Sequence, residues 1–425
     1  AVAVLWAAES VINREPAPPP ATVPTVHIWE DSPYSAVSFG RSHAQALKLA
    51  DDGIVNARAA ADAGRDQWLM HELLAGQYLM RAQLTGSYDD YANAQRALKA
   101  AFKVAVPKSG PHMMHAKLDF SMHRLADAET MLAAMDQYFM KPAPPQQAEM
   151  AAMRGDIAFY RGDYQAALAL YDRADALSPG MAIFNRAIHA ARTGAADQAD
   201  ALFAQAIADL QPPMPQVRAY LELQRGILDL DRGRLDDALV HFRDGDRIFP
   251  GHWLIEEHIA EVLTLQGKTS EAEALYRDIV RRTGHPEFLD ALAGIAEKRG
   301  DVLAAKQLYA QAWAIWQQRI GQFPQAAYGH AIDHCVAKGD WPCALQFAEK
   351  NHAARPFGEA KVALARALLG NGRNAQARAM IETVLASPWR SADLHRVAAD
   401  IYTALQMNAQ AAAQDRLARA INPRA

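Results

Sequence analysis

The sequence predicts an all-α solenoid of stacked antiparallel helix pairs, and three observations predict it. Alanine dominates a composition that is 51% apolar, and the Val/Ile/Thr runs that strands favour are scarce. A glycine-led pattern recurs along most of the chain. Finally, the 425 residues do not divide into the two or three independent globules that ordinary domain size suggests. A methyl side chain takes little space, so alanine-rich helices can approach closely and stack.

The repeat is clearest at residues 161–179, RGDYQAALALYDRADALSP. Gly162 marks a turn, Ala167, Tyr171 and Ala174 follow, and Pro179 stops the helix. Five, nine and twelve residues after the glycine the same small–large–small order returns in other copies. It reads Ala199, Phe203, Ala206 after Gly194; Ala238, Phe242, Gly245 after Gly233; Ala305, Tyr309, Ala312 after Gly300. Gly267, Gly339 and Gly372 lead looser copies. The turn glycine tolerates positive φ. Small residues such as Gly155 and Gly226 let backbones cross closely, and the large residue fills the space between units.

These residues resemble the tetratricopeptide repeat family, of bacterial type, whose unit is two antiparallel helices of about 34 residues. The resemblance implies a right-handed superhelical solenoid of about nine to ten units, each burying its apolar face only against its neighbours. Unit starts are expected near residues 109, 148, 180, 219, 253, 286, 325, 358 and 392. Residues 109–425 therefore form the solenoid. Residues 41–108 supply a capping helix over 41–63 and a first unit turning at Gly86-Ser87-Tyr88. The unit at 109–147 is irregular, because His123 stands where the turn glycine belongs and KPAPPQQ lengthens its exit loop.

Residues 1–40 read differently. The chain opens AVAVLWAA and reaches PAPPPATVP at residues 16–24. So short an apolar run falls well below the roughly 20 residues that span a bilayer. Two readings stand. One is the stump of a signal peptide or membrane tether followed by an extended proline-rich spacer, which puts the protein in the periplasm or otherwise outside the cytoplasm. The other is a frayed start that leaves it in the cytoplasm. Residues 25–40 are expected to run as an extended arm over the first units.

Formal net charge is −4, with Lys and Arg scattered, so the basic stripe of a nucleic-acid binder is missing. No phosphate-binding glycine loop, nucleophile elbow or CxxC occurs, and an enzyme is not expected. Expected instead is a scaffold or adaptor that binds a partner protein or peptide along its concave wall, within an envelope-associated assembly, with no cofactor. Inward positions of the family imply Phe120, Phe159, Tyr160, Phe184 and Tyr220 in the N-terminal half, then Glu257, Glu261, Asp290, Glu297 and Asp333. Aromatic anchors followed by carboxylates suit a segment with apolar residues at one end and Lys/Arg at the other. The basic clamp that some family members use for C-terminal carboxylates is not evident.

An alternative comes from the methionines. Ten of the 14 lie between Met70 and Met153, around His112-Met113-Met114-His115 and Met122-His123. Thioethers with imidazoles suit Cu(I), although Met also fills gaps in ordinary cores. His330, Asp333 and His334 carry an i, i+4 histidine pair, a weaker metal motif. Cys335 and Cys343 flank the Gly339 turn and face each other across a helix pair. They are either a disulfide in an oxidising compartment or two small core residues.

Overall fold

The computed structural model describes residues 40–211 and 214–425. The apolar start, the spacer and the arm expected over residues 1–40 lie outside the described residues, Gly40 excepted. Among the described residues the chain is helical, without a strand. A single helix, α1 (His43–Ala63), leads into antiparallel pairs. The first are α2 (Trp68–Thr85) with α3 (Tyr88–Val104), α4 (His112–Ser121) with α5 (Leu125–Met135), and α6 (Pro144–Tyr160) with α7 (Tyr164–Leu177). There follow α8 (Ile183–Arg192) with α9 (Ala196–Ala208), α10 (Pro215–Asp231) with α11 (Leu235–Ile248), and α12 (Trp253–Leu265) with α13 (Thr269–Thr283). The last four pairs are α14 (Pro286–Lys298) with α15 (Val302–Gln322), α16 (Pro324–Ala337) with α17 (Trp341–Ala354), α18 (Gly358–Gly370) with α19 (Asn374–Leu385), and α20 (Ala392–Ala404) with α21 (Asn408–Ile421).

Local chemistry makes each corner. Gly162 sits at φ +82°, a left-handed turn, and the next residue, Asp163, caps α7 by accepting from Ala166 N at 3.0 Å. The Gly-Asp corners at residues 300–301 and 339–340 repeat the cap at 3.1 Å, which satisfies an amide that the helix leaves unpaired. His123 takes the same left-handed turn at φ +59°, so the substitution keeps the corner at the expense of backbone strain. Within pairs, a Cβ at Gly155 or Gly226 would overlap the rings of Tyr171 or Phe242. The small residue is what lets the large one in.

The pairs do more than stack in a line. Seven hydrogen bonds join the start of α1 and the first five corners to chain five or six units further on. His43 N donates to Pro250 O at 3.1 Å. Trp253 Nε1 and His285 Nε2 donate to Leu84 O and Thr85 O at 2.9 and 2.8 Å. His123 Nδ1 donates to Gln325 O at 3.3 Å, and Gly358 N donates to Tyr164 Oη at 2.8 Å. Arg390 N donates to Arg192 O at 2.9 Å, and Arg424 Nε donates to Gly233 O at 3.2 Å. The superhelix therefore turns once in about six units, a consequence of the small rotation between neighbours, and its successive turns touch. The long α15 strengthens the seam: Arg319 lies over the Tyr88 ring at 4.9 Å, and Gln322 Nε2 donates to Asp89 Oδ1 at 2.7 Å. The inner wall becomes a lumen instead of an open trough.

Candidate functional site

Closure between turns divides the expected inward residues into two groups. Phe120, Phe159 and Tyr220 are 3%, 4% and 2% exposed and do not line an open surface, contrary to expectation. Phe120 packs on Tyr160 at 5.8 Å between ring centres. Phe159 touches Tyr164 and, across the seam, Trp389 at 6.2 Å. Tyr160 meets Phe357 of the next turn at 5.0 Å, and Phe184 sits between Phe203 and Tyr220. The reason is the hydrophobic effect. An aromatic ring gains about 1.5–3 kcal/mol from full burial; adjacent units offer it to Phe120 and Phe184, and the touching turn offers it to Phe159 and Tyr160.

Carboxylates behave otherwise, with one exception. Asp290 accepts from His334 Nδ1 at 2.7 Å and from Trp316 Nε1 at 3.1 Å, so it is a half-buried strut with both neighbours already bound. Glu297 accepts from Tyr309 Oη at 3.2 Å and otherwise faces water. Glu257 and Glu261 gather on His258, whose Nδ1 lies 3.4 and 3.1 Å from their oxygens. Restricted hydration pushes the Glu257 carboxyl up to about 7, with Glu261 adding to it. Burial pulls His258 down, but Glu257, Glu261 and Asp231 outweigh it and raise the imidazole's pKa. Among the described residues this is the one group of at least three His, Cys, Asp or Glu side chains whose donor atoms lie within 4.8 Å of one another. A protonated His258 offsets one of the two carboxylate charges.

Glu261 and Asp333 line a cavity of about 800 Å³ in the lumen, with Asp231, Arg355, Glu359 and Arg366. That volume falls in the usual ligand-pocket range of about 300–1,000 Å³, but the walls are charged. Arg192 pairs with Asp231 at 3.0 Å, and Arg366 pairs with Asp393. Asp333 faces the water of this cavity, with protein crowding its rim. Poor hydration first, then the nearby Glu359 charge, pushes its carboxyl up to about 7. Arg355, Glu359 and Trp389 were missed by sequence reasoning. They come from two adjacent units, and only the six-unit offset sets them against Tyr160 and Arg192 of the earlier turn, which no local spacing encodes.

The metal candidates fare poorly. His334 is 1% exposed and held by Asp290, and His330 lies flat on Trp316 at 5.2 Å, so neither converges with Asp333. In the methionine-rich units Met122, Met135, Met150 and Met153 are core residues, and His112 Nδ1 bonds the Tyr138 hydroxyl at 2.8 Å. Copper binding there is not supported. Cys335 and Cys343 are joined in a disulfide, Cα to Cα 5.7 Å, tying α16 to α17.

Paired helices, left-handed corners and a small–large crossing in successive units define a solenoid of tetratricopeptide type. No family model matches the chain, and no curated protein matches it. Among solved structures it is similar to a tetratricopeptide repeat protein from Parabacteroides merdae, at 18% identity over 57% of this chain and 93% of that one, TM-score 0.34. It is also similar to yeast Tom70, at 14% identity over 88% of both chains, TM-score 0.45. A third likeness is to Pseudomonas aeruginosa PilF, at 15% identity over 51% of this chain and 95% of that one, TM-score 0.34.

Proposed function

We propose that this protein is an interaction scaffold that holds an extended segment of a partner protein or peptide in its lumen. The cavity between turns carries the reading: it is large, charged and reached from the inner wall of several units at once. An extended backbone offers donors and acceptors along its length, and a polar lumen can satisfy them where an apolar one would not. Glu257, Glu261, Asp333 and Glu359 favour a segment that carries Lys or Arg. Catalysis has little support. The His334–Asp290 pair resembles a general base with its orienting acid, but at 1% exposure no substrate reaches it. The Cys335–Cys343 disulfide favours an oxidising compartment, which suits an envelope-associated assembly outside the cytoplasm.

A photo-crosslinking residue at Ala363, in the cavity wall, tests the reading against one at Val302, exposed and away from it. The cavity position should trap a single polypeptide segment, identifiable by mass spectrometry, and the exposed position should not. Equal adducts at both positions, or none at Ala363, would remove the lumen as the site.

A further inference from the structure

We propose that the lumen contains an anion site centred on Arg355, which takes a carboxylate or phosphate group of the ligand held there. The inference rests on the lumen being a binding site and gives that ligand a negatively charged anchor.

Arg355 follows α17 and stands just before α18. It is 8% exposed and lines the cavity. Its side chain makes one hydrogen bond, Nη2 to Asn351 Oδ1 at 3.1 Å, and Nε is buried with no partner. The guanidinium carbon sits 5.3 Å from the Phe357 ring centre and 5.7 Å from that of Tyr160, and no carboxylate of a described residue is within ion-pair distance. The two other arginines named on this wall differ: Arg192 is paired with Asp231 and Arg366 with Asp393. A desolvated cation without a counter-charge is expensive to keep. The fold leaves this one open toward an 800 Å³ cavity.

Its surroundings point to the same chemistry. Trp389, 2% exposed in the same wall, has an Nε1 that donates to nothing. Helix α18 begins at Gly358, three residues after Arg355; Tyr164 Oη takes the Gly358 N–H, and Phe357 gives no side-chain cap, so the positive end of the helix follows the guanidinium closely in the chain. These groups are donors or positive ends, and the rings of Tyr160, Phe357 and Trp389 keep the local dielectric low. A planar five-donor fork suits an oxyanion in two-point contact. The competing acceptor is Glu359, on the first turn of α18, which screens the site without pairing with it.

The experiment uses the full chain and two probes, inorganic phosphate and acetate, against chloride at matched ionic strength. Thermal unfolding is followed for wild type, Arg355→Met, Arg355→Lys and Glu359→Gln. Phosphate or acetate should raise the wild-type Tm by at least about 2 °C more than it raises that of Arg355→Met. General salting-out would raise both alike. Arg355→Lys should keep a weaker response, and Glu359→Gln should respond at several-fold lower anion concentration. A response to phosphate alone assigns a phosphate group, and a response to acetate alone assigns a carboxylate. Equal shifts in wild type and Arg355→Met overturn the site, as does a Glu359→Gln protein that loses the response. Crosslinking from Ala363 is read separately, so the lumen can stand as a partner site even if this anchor fails.

Discussion

Two stretches of the same inner wall meet different fates. Between α4 and α10 the inward aromatics Phe120, Phe159 and Tyr220 are sealed into core. Between α12 and α18 the inward carboxylates Glu261, Asp333 and Glu359 surround open space. Both stretches lie on the first helices of successive units, and both are approached by a neighbouring turn. The side chains decide the outcome. An apolar ring gains from being covered, whereas an unpaired carboxylate must keep water or find a cation. A superhelix whose turns touch will therefore close wherever its inner face is aromatic and stay hollow where it is charged.

The sharpest way to break this comparison is to truncate one residue from each stretch. At about pH 5, where the Asp333 carboxyl is protonated, Phe159→Ala should lower the free energy of the main urea transition by about 3–5 kcal/mol, while Asp333→Ala should stay within about 0.5 kcal/mol. Similar losses for the two would mean that the wall does not divide as described. Asp290 is the exception within the acidic stretch. Removing it strands His334 Nδ1 and Trp316 Nε1, so Asp290→Ala should cost about 2–3 kcal/mol, closer to an aromatic than to its acidic neighbours. The seam itself can be probed with Tyr164→Phe, which leaves Gly358 N–H buried without its acceptor. A loss of about 1–2 kcal/mol is expected, with faster hydrogen exchange at Gly358. Unchanged exchange there would show that the rung does not hold the turns together.

The smallest effect is on pH dependence. Glu257 and Asp333 are pushed up to about 7 in the folded protein, against roughly 4 in an unfolded chain. Between those values the native state binds protons that the unfolded state has released, so this contribution to stability falls as pH rises from about 4 to about 7. Above about 7 the full penalty is present. Glu257→Gln with Asp333→Asn should therefore lose less stability than wild type between about pH 5 and about pH 8, measured by urea unfolding. An identical slope would show that the hollow stretch is as well hydrated as open surface.

How far the sequence could be read follows the same division. The Gly162 corner, the crossing of Gly226 on Phe242 and the left-handed turn at His123 are events within about 20 residues of chain, and periodicity exposes such events directly. The inward aromatics were legible as inward but not as buried. Phe159 and Tyr160 take their cover from Trp389 and Phe357, about two hundred residues downstream. Arg355 carries no motif at all. It looks like an ordinary loop residue ahead of Pro356 until the neighbouring turn brings Tyr160 beneath it.

By itself the sequence determined the helix pairs, their corners and the rule that each unit completes its neighbour, because those rest on contacts between residues close along the chain. The number of units per superhelical turn was decided only in three dimensions. It is the sum of many small rotations between units, each too slight to mark a residue type. From that sum came the touching turns, the buried aromatics and the charged lumen with its unpaired arginine.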